Sequence, residues 1–259
     1  MLILLPPSEG KTAPTRGKPL DLATLSHPTL TETRSRVLKH LVTLCEGDER
    51  VAAQILGLGA KQLDLVGRNA MLTTAPTARA DAVYTGVLYD ALDFATLTPA
   101  AKRRASTRVG IASALFGLLS PGDRIPAYRL SGDATLPGIG SLAPVWRPVL
   151  GEAVAARLSG GLLVDLRSGM YANLWRPDPA AAAKVAGVRV LHEVDGRRKV
   201  VSHFNKSTKG RIVRALLEAG ATPRTPAALA DDLRDLGWHV EAKEPGPQGT
   251  ELDVVVTDL

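Results

Sequence analysis

Asp195-Gly196 lies at the centre of VRVLHEVDGRRKVVSHFN, residues 188–205. Asp-Gly suits a two-residue type I′ turn, which needs positive φ at both central positions. The pair therefore commits the second half of the chain to an antiparallel ribbon. Counting outward from the turn sets Glu193 opposite Arg198 and Val190 opposite Val201. The first is an ion pair and the second an apolar pair, both favourable across strands.

Other segments read as strands or helices by the same logic. Residues 1–5 are a short apolar run stopped by Pro6-Pro7, the pattern of a buried strand. GGLLVDLRS (160–168) reads as a second buried strand running into a polar loop. WHVEAK and ELDVVVT, residues 238–243 and 251–257, read as a closing hairpin. Residues 31–44 are expected to be helical. Residues 52–72 are expected to form two helices broken at Gly57-Leu58-Gly59. Residues 209–219 read as a helix ended by Gly220. Strands and helices mix without a regular βαβ alternation. The expectation is a single compact α+β domain, 1–259, with a mixed or antiparallel sheet flanked by helices.

Composition narrows the function classes. The 259 residues are 45% hydrophobic and 22% charged, enough apolar side chain for a large core. The lone Cys45 excludes an internal disulfide framework and fits a reducing compartment. No stretch approaches a membrane span, so a cytoplasmic protein without a membrane partner is expected. The five histidines and Cys45 show no metal-ligand spacing, and no metal or cofactor is expected. There is no G-x-S-x-G elbow and no G-x-G-x-x-G after a strand. Nothing in the pattern calls for an oligomer, and a monomer is expected.

LLPPSEGKT (4–12) ends like a phosphate-cradling P-loop, yet a Walker A loop needs a glycine where Leu5 stands. Two prolines follow that lack an N–H to give to phosphate. The segment after Thr12 is a poor helix start, so no helix N-terminus is expected to face an anion. A P-loop is rejected. Lys11 still sits where a strand runs into a loop, a common location for function.

The net charge of +6 is clustered. Lys102, Arg103, Arg104 and Arg108 form one acid-free group. Lys206, Lys209, Arg211 and Arg214 form another. In SHFNKSTKGRIVRALLEAG (202–220), Ser207 or Thr208 is placed to cap a helix, and Ile212, Val213, Leu216 and Leu217 share its apolar face. Arg211 and Arg214 fall opposite, either as a solvated face or as phosphate contacts. Lys209 falls in the expected first turn, where the helix dipole disfavours a cation. A phosphate or carboxylate shared with Lys206 resolves that conflict. Tyr128-Arg129 in SPGDRIPAYRL (120–130) offers a guanidinium to an anion, or ties down its own loop. Ser168 and Tyr171, just past a strand end, either meet a ligand or cap the next segment. The helix–Gly-x-Gly–helix outline at 51–72 is that of a helix-hairpin-helix, with Gly57, Gly59 and Lys61 at phosphates.

Five segments in order resemble the YaaA family of bacterial peroxide-stress proteins: MLILLPPSEGKT, VYTGVLYDAL (83–92), FGLLSPGDRIPAYRL (116–130), LVDLRSGMYANLW (163–175) and VVSHFNKSTKGRIVRAL (200–216). The resemblance implies a compact fold with a positively charged cleft and a helix-hairpin-helix. It further implies binding to duplex or branched DNA and a role in limiting peroxide damage. The DNA- or anion-binding residues expected here are Gly57, Gly59, Lys61, Tyr128, Arg129, Lys206, Lys209 and Arg214. The alternative is an enzyme acting on a nucleotide-like or other anionic small molecule, with Lys11, Ser168, Tyr171, Lys206 and Lys209 as its chemical groups.

Overall fold

A computed structural model describes residues 1–257, with Ser202 and His203 described by their backbone alone. The first half contains β1 (Leu2–Leu5), α1 (Thr31–Glu46), α2 (Glu49–Ile55), α3 (Asp64–Ala70), β2 (Ala78–Arg79), α4 (Ala80–Val83), α5 (Val87–Leu92), α6 (Pro99–Arg108), β3 (Val109–Ser113), β4 (Gly117–Leu119) and β5 (Arg124–Ile125). The second half contains β6 (Thr135–Leu136), β7 (Gly140–Ser141), α7 (Leu142–Leu158), β8 (Leu163–Asp165), α8 (Gly169–Ala172), β9 (Val185–Val194), β10 (Arg197–Lys199), α9 (Ser202–Ala219), α10 (Pro226–Asp235), β11 (His239–Ala242) and β12 (Thr250–Val256).

One sheet organises the chain, in the order β11-β12-β9-β8-β1-β3-β4, with β10 paired to β9. Its centre is parallel: β12, β9, β8, β1 and β3 run the same way. The edges are antiparallel, β11 on β12 and β4 on β3. The sheet is therefore mixed, as expected. Leu2, Ile3, Leu4 and Leu5 are all buried, because β1 is central and covered on both faces. That explains why the N-terminal run is continuously apolar rather than alternating.

Helices α6, α9 and α10 pack on the parallel strands, and α7 packs on β4. Gly117 stands at φ 72° against the Trp146 ring of α7, where a Cβ would sit 2.6 Å from the ring. Trp146 donates its indole N–H to the Ala114 carbonyl at 2.8 Å.

The Asp195-Gly196 turn forms as expected, with φ of 50° and 71°, and Arg198 pairs with Glu193. The ribbon is shorter than expected. β10 ends at Lys199, and Val190 pairs with Val254 of β12 rather than with Val201. Helix α9 starts at Ser202, not at residue 209. β12 takes the opposite edge of β9, while β8 already holds, at residues 185–187, the edge that β10 pairs at 192–194; the ribbon stays short and the VVSHF segment enters the helix. Ser207 and Thr208 thus lie inside the helix, and Lys209 is in its third turn. The dipole conflict drawn from the sequence does not exist.

Candidate functional site

The chain leaves β1 toward β3 on one side, and later leaves the adjacent β8 toward β9 on the other. Loops that diverge from neighbouring parallel strands leave a crevice beyond their carboxyl ends. That crevice is a cleft of about 930 Å³, lined by residues 6–10, 85–89, 165–172 and 248–251, with Asn205, Lys206 and Lys209 from α9. Strand order thus places the loop after β1, the loop after β8 and one face of α9 around one space.

The charges on its wall are unequal. Arg167, Arg176, Arg189, Lys206 and Lys209 face Glu9, Asp165 and Glu251. Two of the cations are committed. Arg167 pairs with Asp165 at 2.7 Å and donates to the Tyr171 and Trp175 carbonyls. Arg189 pairs with Asp253 at 2.7 Å and with Glu251 at 3.4 Å. Arg176 donates to the Asn173 side-chain carbonyl at 2.7 Å. Among the described residues Lys206 and Lys209 form no ion pair. They are one helical turn apart on the same face.

Lys209 is half-buried and gives one hydrogen bond, to the Leu166 carbonyl at 3.1 Å. Burial pulls its pKa down to about 8, with Asp165 acting in the opposite direction. Tyr171, on α8, is half-buried against Gly132. Burial first, and then the nearby Glu9, push its phenol up to about 12, so it is a proton donor throughout the neutral range. Ser168 precedes α8 but makes no side-chain cap there, and its exposed hydroxyl faces the cleft.

Behind the cleft wall lies a second cluster. Lys11 donates to the Ser8 carbonyl at 2.7 Å, with its ammonium 4.3 Å from the centre of the Tyr128 ring and 5.3 Å from that of Tyr84. Burial lowers its pKa to about 7. Arg129 adds to that shift and Glu9 opposes it, while the ring faces also favour the charged form. The Tyr128 hydroxyl bridges Tyr84 at 2.8 Å and Ser113 at 2.7 Å. Arg129 reaches forward to Glu9 at 3.0 Å. Lys11, Tyr128 and Arg129 therefore do not line the cleft themselves. They brace the Ser8–Gly10 loop that does.

One further expected residue has other work, and three lie elsewhere. Arg214 donates to the Leu92 and Asp93 carbonyls at 3.0 Å, closing the end of α5 rather than presenting a solvated face. Arg211 stays exposed. Gly57, Gly59 and Lys61 occupy an exposed turn between α2 and α3, outside the cleft lining. Gly57 holds φ 63° there. Sequence reasoning missed Asn69, which is buried and clamps Arg129 from both sides. It donates to the Arg129 carbonyl at 2.7 Å and accepts its N–H at 2.8 Å. Nothing in the α3 sequence DLVGRNA singles it out beside Asp64 and Arg68. Arg176 and Arg189 were also missed, since neither stands in a cationic cluster along the chain.

The geometry defines a class: an α+β protein with a mixed, parallel-centred sheet and an open cleft at the carboxyl ends of its central strands. The chain belongs to the YaaA family of peroxide stress proteins, its residues 1–244 matching the family model described as peroxide stress protein YaaA. It is 50% identical over 261 aligned residues to a UPF0246 protein of Streptomyces coelicolor, with all of both chains covered. A UPF0246 protein of Corynebacterium efficiens is 43% identical, over 94% of this chain and 96% of that one. One from Shewanella loihica is 28% identical, over 84% and 86%.

Proposed function

We propose that this peroxide stress protein acts by holding DNA at a basic cleft, with Lys206, Lys209 and Arg176 on backbone phosphates. The supporting observation is that these three cations line an open cleft without an acidic partner among the described residues. Uncommitted cations gain from phosphate what neighbouring carboxylates would otherwise supply. The turn with Gly57, Gly59 and Lys61 offers a second, sequence-independent phosphate contact, in the manner of a helix-hairpin-helix. A fluorescent duplex titrated over a range of salt tests this. Each neutralised phosphate lowers log K by about 0.9 per log unit of salt. Lys206→Gln is expected to weaken binding and flatten that slope by about one contact. A wild-type affinity indifferent to salt, or a Lys206→Gln slope equal to wild type, speaks against the reading.

A second reading is an enzyme for a nucleotide-like anion, favoured by the exposed Ser168 and half-buried Tyr171 lining the same cleft as Lys209. A volume of about 930 Å³ also suits a small molecule. Mononucleotides that displace the duplex at low concentration favour this reading; duplex retention in their presence favours the first.

A further inference from the structure

We propose that Lys209 captures aldehydes carried on phosphate esters, forming a reversible imine through its side-chain amine. The inference rests on the reading of the cleft as an anion site and adds a covalent step to it.

The argument begins with a comparison of two lysines. Lys11 is fully occupied, giving bonds to two carbonyls and lying over two aromatic rings. An amine held so firmly is a brace. Lys209 gives one bond of 3.1 Å and lines the cleft. Asp165, the acid that acts on it, is engaged by the backbone N–H and by the Nε and Nη2 of Arg167. Asp165 favours the ammonium form without forming an ion pair with Lys209, and the larger effect, half-burial, favours the neutral form. A neutral amine in a cleft is a nucleophile toward carbonyl carbon.

The neighbours supply what else the reaction needs. Lys206, one turn earlier and exposed, is placed for the phosphate. Tyr171 and Ser168 add hydroxyls to the same wall. The unprotonated Nζ adds to the carbonyl carbon, and a proton passes from nitrogen to the former carbonyl oxygen, giving a carbinolamine. Its C–O bond then breaks, water leaves with a second proton, and the C=N bond forms. Hydrolysis reverses each step, so no oxidant or reductant is consumed. Two sources share this chemistry: the opened sugar of an abasic site in DNA, and a free sugar phosphate.

The test is reductive trapping with sodium cyanoborohydride, read by peptide mass mapping. The arms are a duplex carrying an abasic site, glyceraldehyde 3-phosphate, and glyceraldehyde as the neutral control. Adduct concentrated at Lys209 in either phosphate arm, and not with glyceraldehyde, is the expected result. The labelled arm identifies the source. Lys209→Arg is expected to lose the adduct while keeping cooperative unfolding, and Lys209→Met to lose it as well. Labelling spread evenly over exposed lysines such as Lys61 and Lys102 overturns the proposal, as does an undiminished adduct yield in Lys209→Arg. Intact duplex binding with no adduct sinks the imine alone. Adduct at Lys209 that Lys206→Gln leaves unchanged sinks the anion site instead.

Discussion

Lys11 shows what a single buried charge does to the whole protein's pH response. Its ammonium loses a proton at about 7 in the folded chain, against 10.5 in the unfolded one. Between those values the unfolded state binds more protons than the folded state. Stability therefore rises with pH through this window, and the gain is lost as pH falls toward the folded value. Lys209, at about 8, adds a contribution of the same sign. Urea midpoints across this range are expected to climb more steeply for wild type than for Lys11→Met, which keeps only the Lys209 share. Parallel profiles for the two proteins contradict the burial assigned to Lys11. The sequence put Lys11 where a strand runs into a loop, and it lies in the loop that follows β1. Its role was not legible, because the tyrosines beneath it come from residues 84 and 128, far along the chain. Arg214 taught the reverse lesson: its helical face looked solvated until the carbonyls of α5 arrived from another part of the fold.

Helix α9 carries Lys206 and Lys209, so its seating decides whether the cleft has its cations. Ile212, Val213, Leu216 and Leu217 are buried, as their spacing indicates. Gly210 sets how closely the helix approaches α5. A Cβ there would run into the Leu88 carbonyl and lie 2.9 Å from the Ala91 Cβ and 3.0 Å from the Leu92 nitrogen. Helix propensity alone says that Gly210→Ala stabilises an interior position by about 1 kcal/mol. Packing says the opposite, since backbone is what blocks the new methyl. Overpacking costs about 1–3 kcal/mol, so the substitution is expected to lower the thermal midpoint and to weaken duplex binding by displacing both lysines. A raised midpoint with unchanged binding indicates that α9 is not held by this contact. The periodicity that revealed the buried face could not reveal where the helix begins. Val200, Val201 and Phe204 carry strand propensity, and only the fold shows that β8 shares with β10 the edge of β9 that a longer ribbon would use.

At the scale of the molecule, the C-terminal strand is the part whose importance local patterns conceal. The family match ends at residue 244, before β12 begins. Yet β12 pairs with β9 at seven positions, from Thr250–Ala186 to Val256–His192, and among the described residues it is the only strand that holds β11. Leu252 and Val254 are fully buried, and Thr250 and Glu251 close one side of the cleft. A hairpin of 238–257 was legible from alternation. That its second strand adds to the parallel centre was not, because parallel pairing needs a long crossover and leaves no turn signature. Removing residues 245–259 would expose the apolar edge of β9, strip the cover from α10 and open the cleft beside Arg189. An exposed apolar strand edge is also a template for pairing between chains. The truncated chain is therefore expected to lose its cooperative thermal transition and to aggregate, taking duplex binding with it. Should the truncation melt cooperatively at the wild-type temperature and still bind DNA, β12 is an appendage, and the fold and its cleft are complete within the first 244 residues.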